Sequence, residues 1–114
     1  EAILRRVARI GDGWMPLVYG PGAKALAKIE QLRTFTKEAG RDPSEVEVEA
    51  WISLGAGSPD EWRSAFTFWQ NAGVTHVTAH TTYAAGRHRR IEGRTVADHV
   101  AAVHSFIEAV RDLR

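Results

Sequence analysis

At 114 residues, with 44% hydrophobic and 25% charged residues, the chain has the make-up of one globular domain, long enough to bury roughly two thirds of its unfolded surface. A formal charge of +1, from 15 Lys and Arg against 14 Asp and Glu, gives no overall drive toward nucleic acid or an anionic membrane. The lack of cysteine excludes disulfides, thiolate metal sites and cysteine nucleophiles; no apolar run approaches the roughly 20 residues that span a bilayer, and the expected setting is cytoplasmic.

Ile3, Leu4, Val7, Ala8 and Ile10 mark one face of an opening helix, with Arg5, Arg6 and Arg9 largely outside it. The helix begins without a capping residue, and Glu1-Ala2-Ile3-Leu4-Arg5-Arg6 has neither an initiator methionine nor the order of a signal peptide. The expectation is an excerpt from a longer protein. Gly11 predicts a left-handed helix stop, Asp12-Gly13 a turn, and Trp14-Met15-Pro16-Leu17 a short strand closed by proline. Tyr19-Gly20-Pro21-Gly22 reads as a loop. Leu26, Ile29, Leu32 and Phe35 then recur at helical spacing up to a stop at Gly40, and Arg41-Asp42-Pro43-Ser44 is the next loop.

From Val46 to Leu54 the period changes to two, with Val46, Val48, Ala50, Ile52 and Leu54 on one face and Glu47, Glu49, Trp51 and Ser53 on the other. Ser58-Pro59-Asp60-Glu61 has the form of a capping box and opens a helix whose stripe is Trp62, Ala65, Phe66 and Trp69; Gly73 ends it. Val74 to Thr82 is a third strand, with Val77 and Ala79 facing one way and His76, Thr78 and His80 the other. A loop from Tyr83 to Arg94 carries Arg87, His88, Arg89 and Arg90, and Thr95 caps a last helix with the stripe Val96, Val100, Val103, Ile107 and Val110.

Strands alternating with helices predict parallel strands joined by right-handed crossovers. Three strands side by side in chain order would carry their connecting helices on one face and leave the other bare, whereas parallel sheets are almost always covered on both. Either the strand order switches or the strands belong to a closed barrel. His76, Thr78 and His80 suit the interior or mouth of a barrel better than a dry helix contact, which favours the barrel.

His80 stands at the C-terminal end of its strand, where α/β barrels place their sites, and could hydrogen-bond a cofactor carbonyl or move a proton; the alternative is a histidine bonded to a neighbouring loop carbonyl. Arg87, within the run of arginines, could hold a phosphate or carboxylate, against the alternative of a solvated loop. Trp14 and Trp51 are strand residues whose indoles could pack on a planar ring inside a barrel. His76 and His80, four residues apart on a strand, are separated by roughly 13 Å, which disfavours a shared metal. Glu47 and Glu49 fall at the start of their strand, the stability end. No catalytic residue can be assigned.

Leu4-Arg5-Arg6-Val7-Ala8-Arg9-Ile10-Gly11-Asp12-Gly13-Trp14-Met15-Pro16 resembles a recurrent stretch of the bacterial luciferase-like flavin enzymes, most of all the branch that uses the deazaflavin coenzyme F420. Ala39-Gly40-Arg41-Asp42-Pro43, Gly57-Ser58-Pro59-Asp60-Glu61, Ala72-Gly73-Val74-Thr75-His76-Val77 and the helix from Asp98-His99-Val100 through Phe106-Ile107-Glu108-Ala109-Val110 continue the resemblance in order. It implies that residues 1–114 form a single partial domain, the last three strands of a TIM (β/α)8 barrel. It also implies an oxidoreductase or monooxygenase that transfers hydride or activates oxygen on coenzyme F420 or FMN, acting on a small organic substrate. On that implication His80, Trp14 and Arg87 are the candidate cofactor-binding residues, while the earlier strands that hold most of the cofactor have no counterpart here. A second expectation, from a different class, is a non-catalytic half-barrel that closes its open edges by assembling into a homo-oligomer.

Overall fold

The computed structural model describes residues 1–113. Four helices and three strands alternate: α1 (Ala2–Ile10), β1 (Gly13–Trp14), α2 (Ala23–Glu38), β2 (Glu47–Ser53), α3 (Pro59–Asn71), β3 (His76–His80) and α4 (Val96–Val110), with short 3-10 turns at Pro43–Glu45 and Arg111–Leu113. The strands form one open, all-parallel sheet in the order β1-β2-β3. Gly13 pairs with Glu47 and Trp14 with Val48; Glu49 through Ser53 pair in step with His76 through His80. Among the described residues no helix is long and apolar enough to cross a membrane.

The period of two in β2 does what it predicts. Val48, Ala50 and Ile52, with Val46 and Leu54 beside the strand, are buried in one apolar cluster with Ile29, Leu32 and Phe35 of α2 and Trp62 and Trp69 of α3. Val77 and Ala79 of β3 pack against the same cluster. The opposite face carries Glu49, Trp51 and Thr78, each half-buried, and the exposed His76; only its C-terminal end is closed, by the segment that follows β3.

Helix ends are set by local chemistry. Ser58 and Thr95 accept hydrogen bonds from the backbone N–H of Glu61 and Asp98, whose carboxylates return the bond, so both capping boxes form. Gly40 (φ 76°) and Gly73 (φ 73°) take the left-handed conformation just past α2 and α3. In each case two N–H groups turn back onto the last carbonyls: Gly40 to Lys37 and Arg41 to Thr36, Gly73 to Gln70 and Val74 to Trp69. α2 and α3 therefore end in the same turn.

Several expectations are corrected. Gly11 is extended (φ −87°, ψ 150°), not left-handed. Glycine is needed there for room, since a Cβ would lie 2.9 Å from the Val7 carbonyl oxygen. The end of α1 is held instead by Arg41, whose guanidinium donates to the carbonyls of Ala8 (3.1 Å) and Gly11 (2.9 Å). The first strand is only Gly13–Trp14, because Met15 to Tyr19 turn away in two tight backbone bonds around Pro16. In α1 only Leu4 and Ala8 are buried, with Ile3 and Ile10 exposed; in α2 the buried stripe starts at Ala25, leaving Leu26 outside.

The α4 stripe is right at its C-terminal end, where Val110 is buried and Ile107 half-buried, but its first three valines are turned outward. Val96, Val100 and Val103 are exposed, while Phe106 and Val110 are buried and Ala102 and Ala109 pack against the core. Phe106 meets Phe66 of α3 edge-on at 6.3 Å, and Arg63 of α3 donates to the Ala109 carbonyl and to Asp112. An aromatic flanked by small residues seats closer to α3 than a row of valines can, and this sets the rotation of the helix.

Candidate functional site

The last residues of β2 and β3 build a cluster of four rings. Trp51 comes from the polar face of β2, His80 ends β3 on the same face, and Tyr83 and His88 come from the following segment. Ring centroids lie 5.3 Å apart for Trp51 and His80, 4.9 Å for His80 and His88, and 5.4 to 6.0 Å for Tyr83 against the other three. His80 and His88 are buried, whereas Tyr83 keeps 39% of its surface exposed.

The segment from Thr81 to Arg94 is fastened to all three strand ends. His88 Nε2 bonds the carbonyl of Leu17, after β1, at 2.8 Å. Ser53 Oγ, at the end of β2, donates to the Arg89 carbonyl (2.5 Å) and accepts from the Arg89 N–H (2.9 Å). The N–H of Ile91 returns to the Thr81 carbonyl after β3 at 2.9 Å. Gly55 is required beneath it, because a Cβ there would sit 2.2 Å from the Arg90 carbonyl oxygen.

Arg87 Nη2 donates to the carbonyl of Trp51 at 2.9 Å. The N–H of Glu47 reaches Asp12 before β1, and the carbonyl of Val48 receives Thr75 before β3; odd residues of β2 therefore aim their backbone at β1 and even residues at β3. Trp51 is odd, and β1 has ended opposite Val48. Arg87 thus occupies a ladder position that the short β1 leaves vacant.

Proton bookkeeping fixes the roles in the histidine pair. A carbonyl only accepts, so His88 Nε2 carries a proton. With one proton on each ring, His88 Nδ1 is bare and accepts from Nε2–H of His80, 2.9 Å away. His80 Nδ1 is then a bare acceptor, and it is buried without a partner among the described residues, as is Nε of Arg87. Burial lowers the pKa of His80 first, with the neighbouring His88 and Arg87 adding to it; burial alone lowers that of Arg87.

Further down the polar face, Glu49 Oε1 accepts from Thr78 Oγ1 at 2.7 Å and from Trp51 Nε1 at 2.8 Å. These two bonds, Thr78 foremost, hold its carboxyl below the usual range. The indole of Trp51 is thereby pinned between a carboxylate on one side and the histidines on the other.

The structure brings His80, Arg87 and Trp51 together and leaves Trp14 apart. Trp14 pairs with Val48, so it shares the helix-covered face, where it packs against the core and meets Tyr19 at 6.1 Å. His80 has its neighbouring-loop partner, but through the ring of His88, which relays it to the Leu17 carbonyl. Its donor being committed, the free nitrogen accepts. Arg89, Arg90 and Arg94 are exposed, whereas Arg87, His88 and Ile91 turn inward. Three members escaped the sequence. Tyr83 and His88 sit in a segment with no periodicity to read, and Glu49, read as standing at the stability end of its strand, accepts from the Trp51 indole two residues away. Among the described residues no group of three or more His, Asp or Glu is placed to hold a metal ion. No family model, curated protein or solved structure matches the chain.

Proposed function

We propose that the chain is the C-terminal portion of a luciferase-like (β/α)8 oxidoreductase that works with coenzyme F420 or FMN on a small organic substrate. One observation carries this reading: three parallel strands in chain order bury one face under helices and keep on the other a polar and aromatic surface that ends, at the C-terminal side, in Trp51, His80 and Arg87. That is the side on which parallel β/α architectures bind ligands. The residues fit the head group of such a cofactor, because a buried bare acceptor on His80 and a buried free donor on Arg87 are what a polar ring edge would satisfy. When bound, the group would supply hydride transfer or oxygen activation. The chain's own part is to bind and orient it and to exclude water with the Tyr83–Arg89 segment. Trp14 plays no part in that end of the site.

The test pairs the coding DNA upstream of Glu1 with cofactor binding. The expected result is an in-frame extension of roughly 150–200 residues, enough to complete a barrel of typical size, and an extended protein that binds coenzyme F420 or FMN far more tightly than the 114-residue chain. A start codon directly before Glu1, or tight one-to-one binding by the chain alone, overturns it.

A second reading, a half-barrel that assembles with copies of itself, draws on the exposed apolar side chains at the two flanks of the sheet: Ile3, Ile10 and Val18 beside β1, and Val96, Val100 and Val103 on α4. Sedimentation over a wide concentration range decides it. A monomer throughout ends this reading.

A further inference from the structure

We infer that residues 82–90 form a lid over the C-terminal end of the sheet, held shut by the His80–His88 bond and opened when that pair takes up two protons. The inference goes beyond the cofactor reading and stands without it.

The lid is built to move as one piece. The His88 N–H bonds the Ala85 carbonyl at 3.0 Å, and the Arg89 guanidinium bonds the carbonyls of Gly86 (2.7 Å) and His88 (2.8 Å). Gly86, with φ 58°, supplies the left-handed turn within it. The bond from the Ile91 N–H to the Thr81 carbonyl ties its two ends together and forms its base. Toward the sheet it is held by His88 on the Leu17 carbonyl, Arg87 on the Trp51 carbonyl, Arg89 on Ser53, and the bond between the two histidines. Ala84 and Ala85 are exposed, so polar bonds and ring contacts, more than aliphatic burial, keep the lid down.

The closed pair has no place for two extra protons. With one proton on each ring, Nε2–H of His80 donates to Nδ1 of His88, and Nε2–H of His88 donates to Leu17. A first added proton goes to the bare Nδ1 of His80; it leaves the bond intact but buries a cation beside Arg87. A second must go to Nδ1 of His88, which sets N–H against N–H across 2.9 Å and abolishes the bond. In the open lid both rings reach water, where an imidazole takes its proton at about pH 6.5. The open form therefore holds more protons below that pH, and acid favours it.

The neighbouring groups do not offset this. Burial, then His88 and Arg87, lowers the pKa of His80. Arg87 and Tyr83 belong to the lid itself. Glu49 of β2 is spent on Thr78 and on Nε1 of Trp51, whose indole stands between it and the histidines. His99 of α4 bonds Thr81 Oγ1 at 2.7 Å, and the stretch after β1 offers the Leu17 carbonyl. An open lid bares the Trp51 ring and frees its carbonyl.

Amide hydrogen exchange of the 114-residue chain, followed by NMR from about pH 6.5 to pH 5.5 and corrected for the intrinsic effect of pH, tests the lid. The reporter is the Arg89 N–H, bonded to Ser53 Oγ at 2.9 Å when the lid is shut; the references are Ala50 and Ile52, buried in β2. Opening at Arg89 is expected to rise more than tenfold over that pH unit, which a single titrating ring cannot give. Arg89 should also be less protected than Ala50 and Ile52 throughout, as a lid that opens without the domain requires. His88→Gln keeps an acceptor for His80 and a donor for Leu17 but does not titrate, so the rise should fall to about tenfold or less. In the unaltered chain, a rise of tenfold or less, or protection at Arg89 equal to that of Ala50 and Ile52, overturns the inference whether or not the variant folds. An undiminished rise in His88→Gln overturns it as well.

Discussion

Nε2 of His80 lies 2.9 Å from Nδ1 of His88, and among the described residues no carboxylate bonds either ring. The groups around the pair are Arg87 and Tyr83 from their own segment, Trp51 from β2 and the Leu17 carbonyl, so an added proton on His80 meets positive charge and no acceptor. Burial, with His88 and Arg87, lowers the folded pKa of His80 below its usual 6.5. Between the folded and unfolded values the unfolded chain binds more protons. The stabilisation is therefore full above about pH 6.5 and is lost as pH falls through the folded value. Thermal unfolding should shift to lower temperature from about pH 7 to about pH 5, and His80→Gln, which keeps a donor toward His88 but does not titrate, should flatten that slope. Parallel slopes in the two proteins would exclude His80 as the cause.

Arg87 closes the ladder position of the Trp51 carbonyl, and its stem is half-buried. Arg87→Met keeps most of the packing and removes the bond, so denaturant unfolding should show a loss of about 1–2 kcal/mol. A loss below about 0.3 kcal/mol would mean that water replaces the guanidinium without cost.

Ser53 is buried and both donates to and accepts from the backbone of Arg89. Ser53→Ala leaves two backbone groups without their partner and should release the segment before it unfolds the domain. Trypsin provides the readout, because Arg87, Arg89 and Arg90 lie in that segment. Cleavage there should accelerate several-fold more than cleavage at Lys28 or Arg33 within α2. Equal acceleration at both places would show a global effect instead.

Arg41 binds α1 to the rest of the chain through the Ala8 and Gly11 carbonyls. Arg41→Ala should cost about 1–2 kcal/mol and raise amide exchange in α1 more than in α3. Arg111→Ala, which removes an exposed pair with Glu108, should cost about 0.5 kcal/mol or less. Similar losses from the two variants would refute the role given to Arg41.

What the sequence disclosed was local. The alternation in β2, the capping box at Ser58, the cap at Thr95, and the glycine stops at positions 40 and 73 each depend on neighbours within a few residues, so each could be read and each is present. What it concealed depends on distant partners. Gly11 looked like another glycine stop, but its place is decided by Arg41, 30 residues on. The α4 stripe by period keeps Val110 inside but loses Val96, Val100 and Val103, and Phe106 packs on Phe66 of α3 in their stead. Trp14 read as an inward strand residue, yet a face is known only once register is known, and Val48 fixes it to the helix side. His80 and Arg87 were legible as residue types at the end of a strand; their union through His88 and Trp51 was not, because it is made by an aperiodic segment folding back across three strand ends.

The brevity of β1 has one more consequence. Among the described residues, the outward edge of β2 beyond Trp14 has no neighbouring strand, and the Trp51 carbonyl on it is covered by the Arg87 guanidinium. An unguarded edge of this kind is a template for cross-chain pairing. Mild acid, by loosening the histidine-held segment that carries Arg87, should therefore do more than soften the domain: it should open this edge to pairing with copies of the chain.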